Sequence, residues 1–267
     1  MANKKNNTSE KSSNQSSDKL LKILECLSKN RLPIRLQDLG KRLHMSQSTI
    51  LRYLNALQNA NYIYQEDSTS RYALTWKICG IAENINSNLS LRSITAPFIN
   101  ELVGELNLGV CLVVEQDLQC IYLDCIDPTP SFGHTLHRIG KLAPMHATGS
   151  GKLLMSQFNK SRLEEYVRKI GLEKFTDTTI TNMAILHKEL EKVKKTSIGL
   201  DNQECEAGLR CVSSPLINYS GSYVGAISVF GDFNVLNDEY IKQTIIPELQ
   251  SATEKISLRL GYEGSFS

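Results

Sequence analysis

The sequence predicts an α+β chain in two parts. The N-terminal part is small and mainly helical, with one short hairpin. The C-terminal part is larger, with an antiparallel sheet covered by helices. Three observations predict this. A length of 267 residues allows two separate cores. Apolar residues follow a helical period up to Leu106, and from Val110 they give way to short apolar runs that alternate with helical stretches and end in a helix. Charge divides the same way: residues 1–90 hold 13 Lys and Arg against 7 Asp and Glu, the remainder 17 against 21. A basic front suits a polyanionic partner and a mildly acidic back does not.

Residues 1–16 are Asn, Ser and Lys with almost nothing to bury, and are expected to be disordered. Residues 17–75 form the first domain. Ser17 or Asp18 caps a helix with Leu20, Leu21, Ile23, Leu24 and Leu27 inward, ended at Arg31-Leu32-Pro33. Leu36, Leu39 and Leu43 mark a second short helix, and His44-Met45 leaves only a tight turn before a third. Ser46 caps that third helix, SQSTILRYLNALQN, in which Ile50, Leu54 and Leu57 recur at i, i+4 and i+7. The opposite face carries Gln47, Ser48, Arg52 and Asn55, groups that bond base edges and phosphates, with no carboxylate to repel them. Two helices meeting at such a turn have the form of a helix-turn-helix. Tyr62-Ile63-Tyr64 and Arg71 to Thr75 then flank a turn, as the wing of such a domain would. Gln47, Ser48, Thr49, Arg52, Tyr53 and Arg71 are the expected contacts to double-stranded operator DNA.

Residues 76–90 are a linker helix whose Ile78, Ile81, Ala82 and Ile85 form an apolar stripe that a second copy of the chain would cover. Residues 91–261 form the second domain. It opens with a helix, Leu91 to Leu106, followed by strands at Val110–Val114, Cys120–Leu123 and Phe132–Ile139. Helices follow at Gly149–Phe158, Ser161–Ile170 and Ala184–Thr196. Strands at Cys211–Ile217 and Val224–Val229 and a helix at Asn237–Leu260 complete it. Asp201 to Glu204 is expected to be a polar loop feeding the strand at Cys211.

His146-Ala147-Thr148-Gly149-Ser150-Gly151-Lys152 is similar to a phosphate loop, but His146 and Leu153 stand where that pattern requires Gly and Ser or Thr, so nucleotide hydrolysis is excluded. A Gly- and Ser-rich entry into a helix remains, whose amides suit a small carboxylate. Asp201 and Cys211 can reach a pocket with Ser228 opposite. Cys211 and His146 are also the parts of a cysteine nucleophile, so the competing expectation is a cysteine-dependent enzyme with an accessory DNA-binding arm. A cyclic-nucleotide sensor without DNA binding is a third, which the acid-free helix face opposes. His134-x-x-His137 lacks a partner at metal-ligand spacing, so neither a metal nor a cofactor is expected. Seven cysteines without a Cys-x-x-Cys pair suit reduced thiols. No apolar run nears the ~20 residues of a membrane helix, and the N-terminus shows no signal-peptide core. The expected location is the cytoplasm, with no membrane partner.

Five segments in order, SQSTILRYLNAL, RYALT, MHATGSGKLLM, DNQECEAGLRC and VGAISVFG, resemble the IclR-type bacterial transcriptional regulators, in register from about Leu20 to Gly261. The resemblance implies a winged helix-turn-helix joined by a helix to a GAF-like effector-binding domain. It also implies a homodimer or dimer of dimers on operator DNA, responding to a small organic acid or aromatic compound, with no catalytic residues. Effector contacts carried over fall on Gly149, Ser150, Asp201, Cys211 and Ser228, and Phe132 matches an apolar lid position. Where some members have a second pocket serine, this chain has Phe230, which narrows or dries the pocket.

Overall fold

The computed structural model describes residues 15–30, 32–88, 90–128 and 139–264 of the chain, which divides into two units between residues 89 and 90. Phe132, His134, His137 and residues 1–14 of the expected tail lie outside the described residues.

The first unit contains α1 (Gln15–Ser28), α2 (Leu36–Leu43), α3 (Gln47–Asn59), the hairpin β1 (Ile63–Gln65) and β2 (Tyr72–Leu74), and α4 (Lys77–Asn88). Its core is Ile23, Leu27, Ile34, Leu39, Ile50, Tyr53, Leu54, Leu57, Ile63 and Tyr72. Leu21, expected inward, is 54% exposed: Ile23 and Leu27 already fill the inner face, four residues apart. The α2–α3 turn is short because His44 adopts a left-handed backbone (φ 52°), from which Met45 N donates to Gly40 O at 3.1 Å. Ser46 Oγ then accepts from Thr49 N at 3.3 Å, so α3 starts on a satisfied cap. Ile34 pairs with Tyr72 and ties the segment before α2 to the hairpin.

The second unit contains α5 (Leu91–Leu106), β3 (Gly109–Gln116), β4 (Gln119–Ile126), β5 (Leu142–Ala143), α6 (Gly149–Met155), α7 (Lys160–Lys169) and α8 (Met183–Thr196). It continues with β6 (Gly199–Asn202), β7 (Leu209–Ile217), β8 (Tyr223–Asp232), α9 (Asp238–Tyr240) and α10 (Ile246–Arg259), the last two joined by a π turn at Ile241–Ile245. The sheet runs β5-β4-β3-β8-β7-β6, antiparallel throughout. Helices cover both faces, which is why β3 reads as a continuous apolar run rather than an alternating one. Val110 and Leu112 join a core with α5 and α10 residues, including Phe98, Leu102, Leu249 and Ile256. Cys111 and Val113 point the other way, into a core with Met155, Leu163, Tyr166, Leu186 and Leu190 from α6, α7 and α8.

One expectation changes here. Asp201 lies not in a loop but in β6, an edge strand paired to β7 through Gly199↔Ser213, Leu200↔Val212, Asp201↔Cys211 and Asn202↔Arg210. Of the strand expected at Phe132–Ile139, only Ile139 is described, and it makes a parallel bridge to Tyr122. None of the described helices is long and apolar enough to cross a membrane.

Candidate functional site

In the first unit, α3 presents Gln47, Ser48, Arg52 and Asn55 to solvent, with Thr49 half-buried beside them. Tyr53, expected among the DNA contacts, is 6% exposed and belongs to the core. The buried stripe is Ile50, Tyr53, Leu54 and Leu57, the full i, i+3, i+4, i+7 set, so Tyr53 completes the stripe instead of facing outward. Only its hydroxyl reaches the edge. There it bonds Ser16 Oγ at 3.0 Å and accepts from Arg52 Nη2 at 3.0 Å, while the guanidinium lies 4.9 Å from the ring centroid. Tyr53 therefore restrains the cation that α3 offers.

Arg71 closes the turn of the hairpin just before β2, its carbonyl accepting from Glu66 N at 2.8 Å. It is half-buried, its Nε makes no hydrogen bond, and it lines a hollow of about 330 Å³ with Asn30, Ile34, Arg35, Asp38 and Arg42. Three guanidinium groups thus share one surface hollow. The turn itself carries Glu66 and Asp67, with Glu66 Oε2 accepting from Thr69 Oγ1 at 2.6 Å.

In the second unit the strand register builds the pocket. Gly109, Phe230, Cys211 and Asp201 form one row across β3, β8, β7 and β6. Cys111, Ser228 and Ser213 form the next row on the same face, two residues along. Across the top comes α6, close enough that Gly149 and Gly199 must both lack side chains: a Cβ on Gly199 would fall 2.0 Å from Gly149 O. This approach delivers Ser150 to Asp201. Among the described residues, the resulting cavity of about 10 Å³ is lined by Cys111, Tyr122, Thr148, Ser150, Asp201, Cys205, Leu209, Cys211, Ser228 and Phe230. Ser150, Asp201, Cys211 and Ser228 are thus brought together as expected from the sequence. Gly149 is not in the lining; its role is the close approach. Cys111, Tyr122 and Cys205 were missed, although the alternation of Cys111 with Val110 and Leu112 was available in the sequence.

Asp201 is 2% exposed. Its Oδ1 accepts from Glu204 N at 2.7 Å and Cys205 N at 3.4 Å, which folds the following turn and sets Cys205 at the pocket. Burial pushes the Asp201 carboxyl up to about 7, and the neighbouring Glu204 carboxylate adds to this, against its two amide bonds and the Lys152 ammonium. Lys152, wholly buried, donates to Glu204 Oε1 at 2.5 Å, and burial raises the Glu204 carboxyl as well. The lysine that makes the segment similar to a phosphate loop is therefore turned inward as the counter-charge to Glu204. Ser213 and Ser228 hydroxyls bond at 2.5 Å, and Thr148 Oγ1 accepts from Gly151 N at 3.2 Å. One of the three amides offered by Gly149–Gly151 is thereby already engaged.

His146 and Cys211 do not meet in one site. The His146 ring is held between Tyr166 OH, 2.8 Å from Nδ1, and Glu173 O, 3.0 Å from Nε2. The carbonyl can only accept, so Nε2 carries the proton and Nδ1 accepts from the tyrosine. Burial lowers the His146 pKa and keeps the ring neutral. His146 lines a separate hollow with Gln119, Pro144, Lys169 and Phe175, so nothing here assembles a Cys211–His146 pair. A groove of about 690 Å³ between α7 and α8 is larger than the pocket, but Met155, Phe158, Leu163, Met183 and Leu190 make its lining apolar, with Lys160, His187 and Lys194 alongside. It lacks the converging buried polar groups that mark a specific ligand site.

Comparison with known proteins agrees with both halves. Residues 16–67 match the model of the IclR helix-turn-helix domain, and residues 84–258 match that of the bacterial transcriptional regulator IclR C-terminal domain. The HTH-type transcriptional regulator KdgR of Escherichia coli is 27% identical over 244 residues, 91% of this chain and 92% of its own length. The HTH-type transcriptional repressor AllR of the same species is 25% identical over 248 residues, 92% of this chain and 90% of its own. The crystal structure of the Thermotoga maritima IclR is similar with a TM-score of 0.61 and 25% identity, covering 93% of this chain and 99% of that one. An exposed, acid-free helix and a buried pocket around Asp201 in a second unit are thus found where the two family models match, and the chain belongs to the IclR family of bacterial transcriptional regulators.

Proposed function

We propose that this protein is a cytoplasmic, sequence-specific regulator, a repressor rather than an activator, whose grip on operator DNA is altered by a small organic acid. The observation that carries this reading is the pairing of α3, with Gln47, Ser48 and Arg52 exposed, with a buried pocket around Asp201, Ser150 and Ser228. Arg52 reads a base or a phosphate. Arg71, with Arg35 and Arg42 in the same hollow, neutralises phosphate along the backbone. Trp76 (86% exposed), Ile81 (44%) and Ile85 (53%) along and before α4 form an apolar surface that a second copy covers. Such a homodimer, or a dimer of dimers, sets two recognition helices on half-sites a whole number of turns apart.

In the pocket, Asp201 carries a proton through part of the neutral range and can donate it to a ligand carboxylate, while Ser150 and Ser228 bond its hydroxyl or oxo group. The ligand shifts DNA affinity only by binding one arrangement of the dimer better than the other. The test is fluorescence anisotropy with the DNA upstream of the protein's own gene, with and without a panel of short organic acids. Asp201→Ala should bind that DNA as wild type does and lose the response to the acid. An Asp201→Ala protein that still responds fully would remove this pocket from the mechanism.

A further inference from the structure

Phe230 and Gly109 form a single steric unit. They face each other in register on β8 and β3, and a Cβ built on Gly109 would lie 2.3 Å from the Cζ and 2.4 Å from the Cε2 of the Phe230 ring. The far end of the ring therefore rests on the bare backbone of β3, as an aromatic does over a glycine on a neighbouring strand. The ring is 2% exposed and forms one wall of the Asp201 pocket. The cavity left beside it, about 10 Å³, is barely the size that admits one water. The residues that line that remnant include Thr148, Ser150, Asp201 and Ser228, which carry hydroxyl and carboxyl groups, with Tyr122, Cys111, Cys205 and Cys211 beside them. A short hydroxy or oxo acid displaces less of this lining on entering than a larger ligand does, and finds hydroxyl and carboxyl groups among the residues there. A benzoate needs the volume that the Phe230 ring already holds.

We infer that Phe230 is the specificity-determining residue of this pocket: its ring, seated on Gly109, takes the place an aromatic effector's ring would occupy, and so restricts the site to short non-aromatic hydroxy or oxo acids. The inference rests on reading the Asp201 pocket as the effector site, and it narrows that reading from organic acids in general to one class.

The experiment is isothermal titration of full-length wild type, Phe230→Ala and Phe230→Leu with benzoate, 3-hydroxybenzoate, lactate and glycolate. Phe230→Leu keeps apolar bulk at the base of the ring and vacates only the part over Gly109, so it guards against loss of the fold in the alanine variant. Wild type should bind lactate or glycolate and give no heat with either benzoate. Both variants should bind a benzoate at least tenfold more tightly than wild type does, and Ser228→Ala added to either should weaken that binding. Equal benzoate affinity in wild type and a folded Phe230→Leu, or no gain in either folded variant, overturns the inference. Anisotropy on the upstream DNA separates this from the broader reading. Benzoate bound by a variant without any change in DNA affinity upholds the role of Phe230 and counts against effector control. DNA release by lactate in wild type, with no aromatic binding gained by the variants, does the reverse.

Discussion

Asp201 combines three roles in one side chain: it shapes the turn at Glu204 and Cys205, faces the pocket, and titrates near neutrality. Because burial raises its pKa in the folded chain above the ordinary carboxylate value, the folded state holds a proton that the unfolded chain has lost. The stability Asp201 contributes is fully present at acid pH, below the ordinary carboxylate value, and is lost as pH rises through about 7. Asp201→Asn keeps an acceptor for the two amides and removes the charge. The difference in Tm between this variant and wild type should therefore grow in the variant's favour from pH 5 to pH 8, as read by scanning calorimetry; a constant difference would mean that Asp201 is not titrating there. On the DNA side, Arg52→Ala should weaken operator binding by ~1–3 kcal/mol if the guanidinium reads a base. Tyr53→Phe should cost less, since it leaves the guanidinium in place and removes the hydroxyl that bonds Arg52 and Ser16. A gel shift at fixed salt with unchanged affinity for Arg52→Ala would exclude that residue from the interface.

At the scale of elements, the closest constraint is α6 against β6. Gly199→Ala would drive a methyl group into the backbone oxygen of Gly149, where no rotamer can relieve the clash. Overpacking of this kind costs about 1–3 kcal/mol. Tm should fall accordingly in thermal denaturation, and an unchanged Tm would show that the approach is not kept in solution. Elements with a long period were legible in the sequence. The expected helix at Leu91 to Leu106 coincides with α5, whose apolar stripe is flanked by the Ser90 and Ser93 capping box. The four residues of β6 and the two of β5 were not legible, because neither is long enough to show alternation and each is fixed only by its partner strand. The pocket was legible in part for the same reason. Ser150, Asp201, Cys211 and Ser228 lie in recognisable segments, but Gly149 meets Gly199 fifty positions away, and no local pattern reveals that contact. Lys152 and Arg71 show the limit most clearly, since sequence gives their charge and only packing says that one turns inward to Glu204 and the other sits half-buried in a hollow beside Arg35 and Arg42.

For the whole molecule, charge and architecture divide the work. A unit with a surplus of basic residues carries the exposed helix, and a unit with buried acids, hydroxyls and thiols carries the pocket. Two units with separate cores can each keep their fold while a dimer of the kind proposed shifts between arrangements, which is what the proposed control of DNA binding requires. The most direct measurement is the affinity of the full-length protein for the DNA upstream of its own gene against a scrambled fragment of equal length, at fixed salt, titrated with lactate and glycolate. Binding to the upstream DNA should be at least a thousandfold tighter than to the scrambled fragment, weakened by one of these acids in wild type and not in Asp201→Ala. Equal affinity for both fragments, or a response that survives in Asp201→Ala, would contradict it.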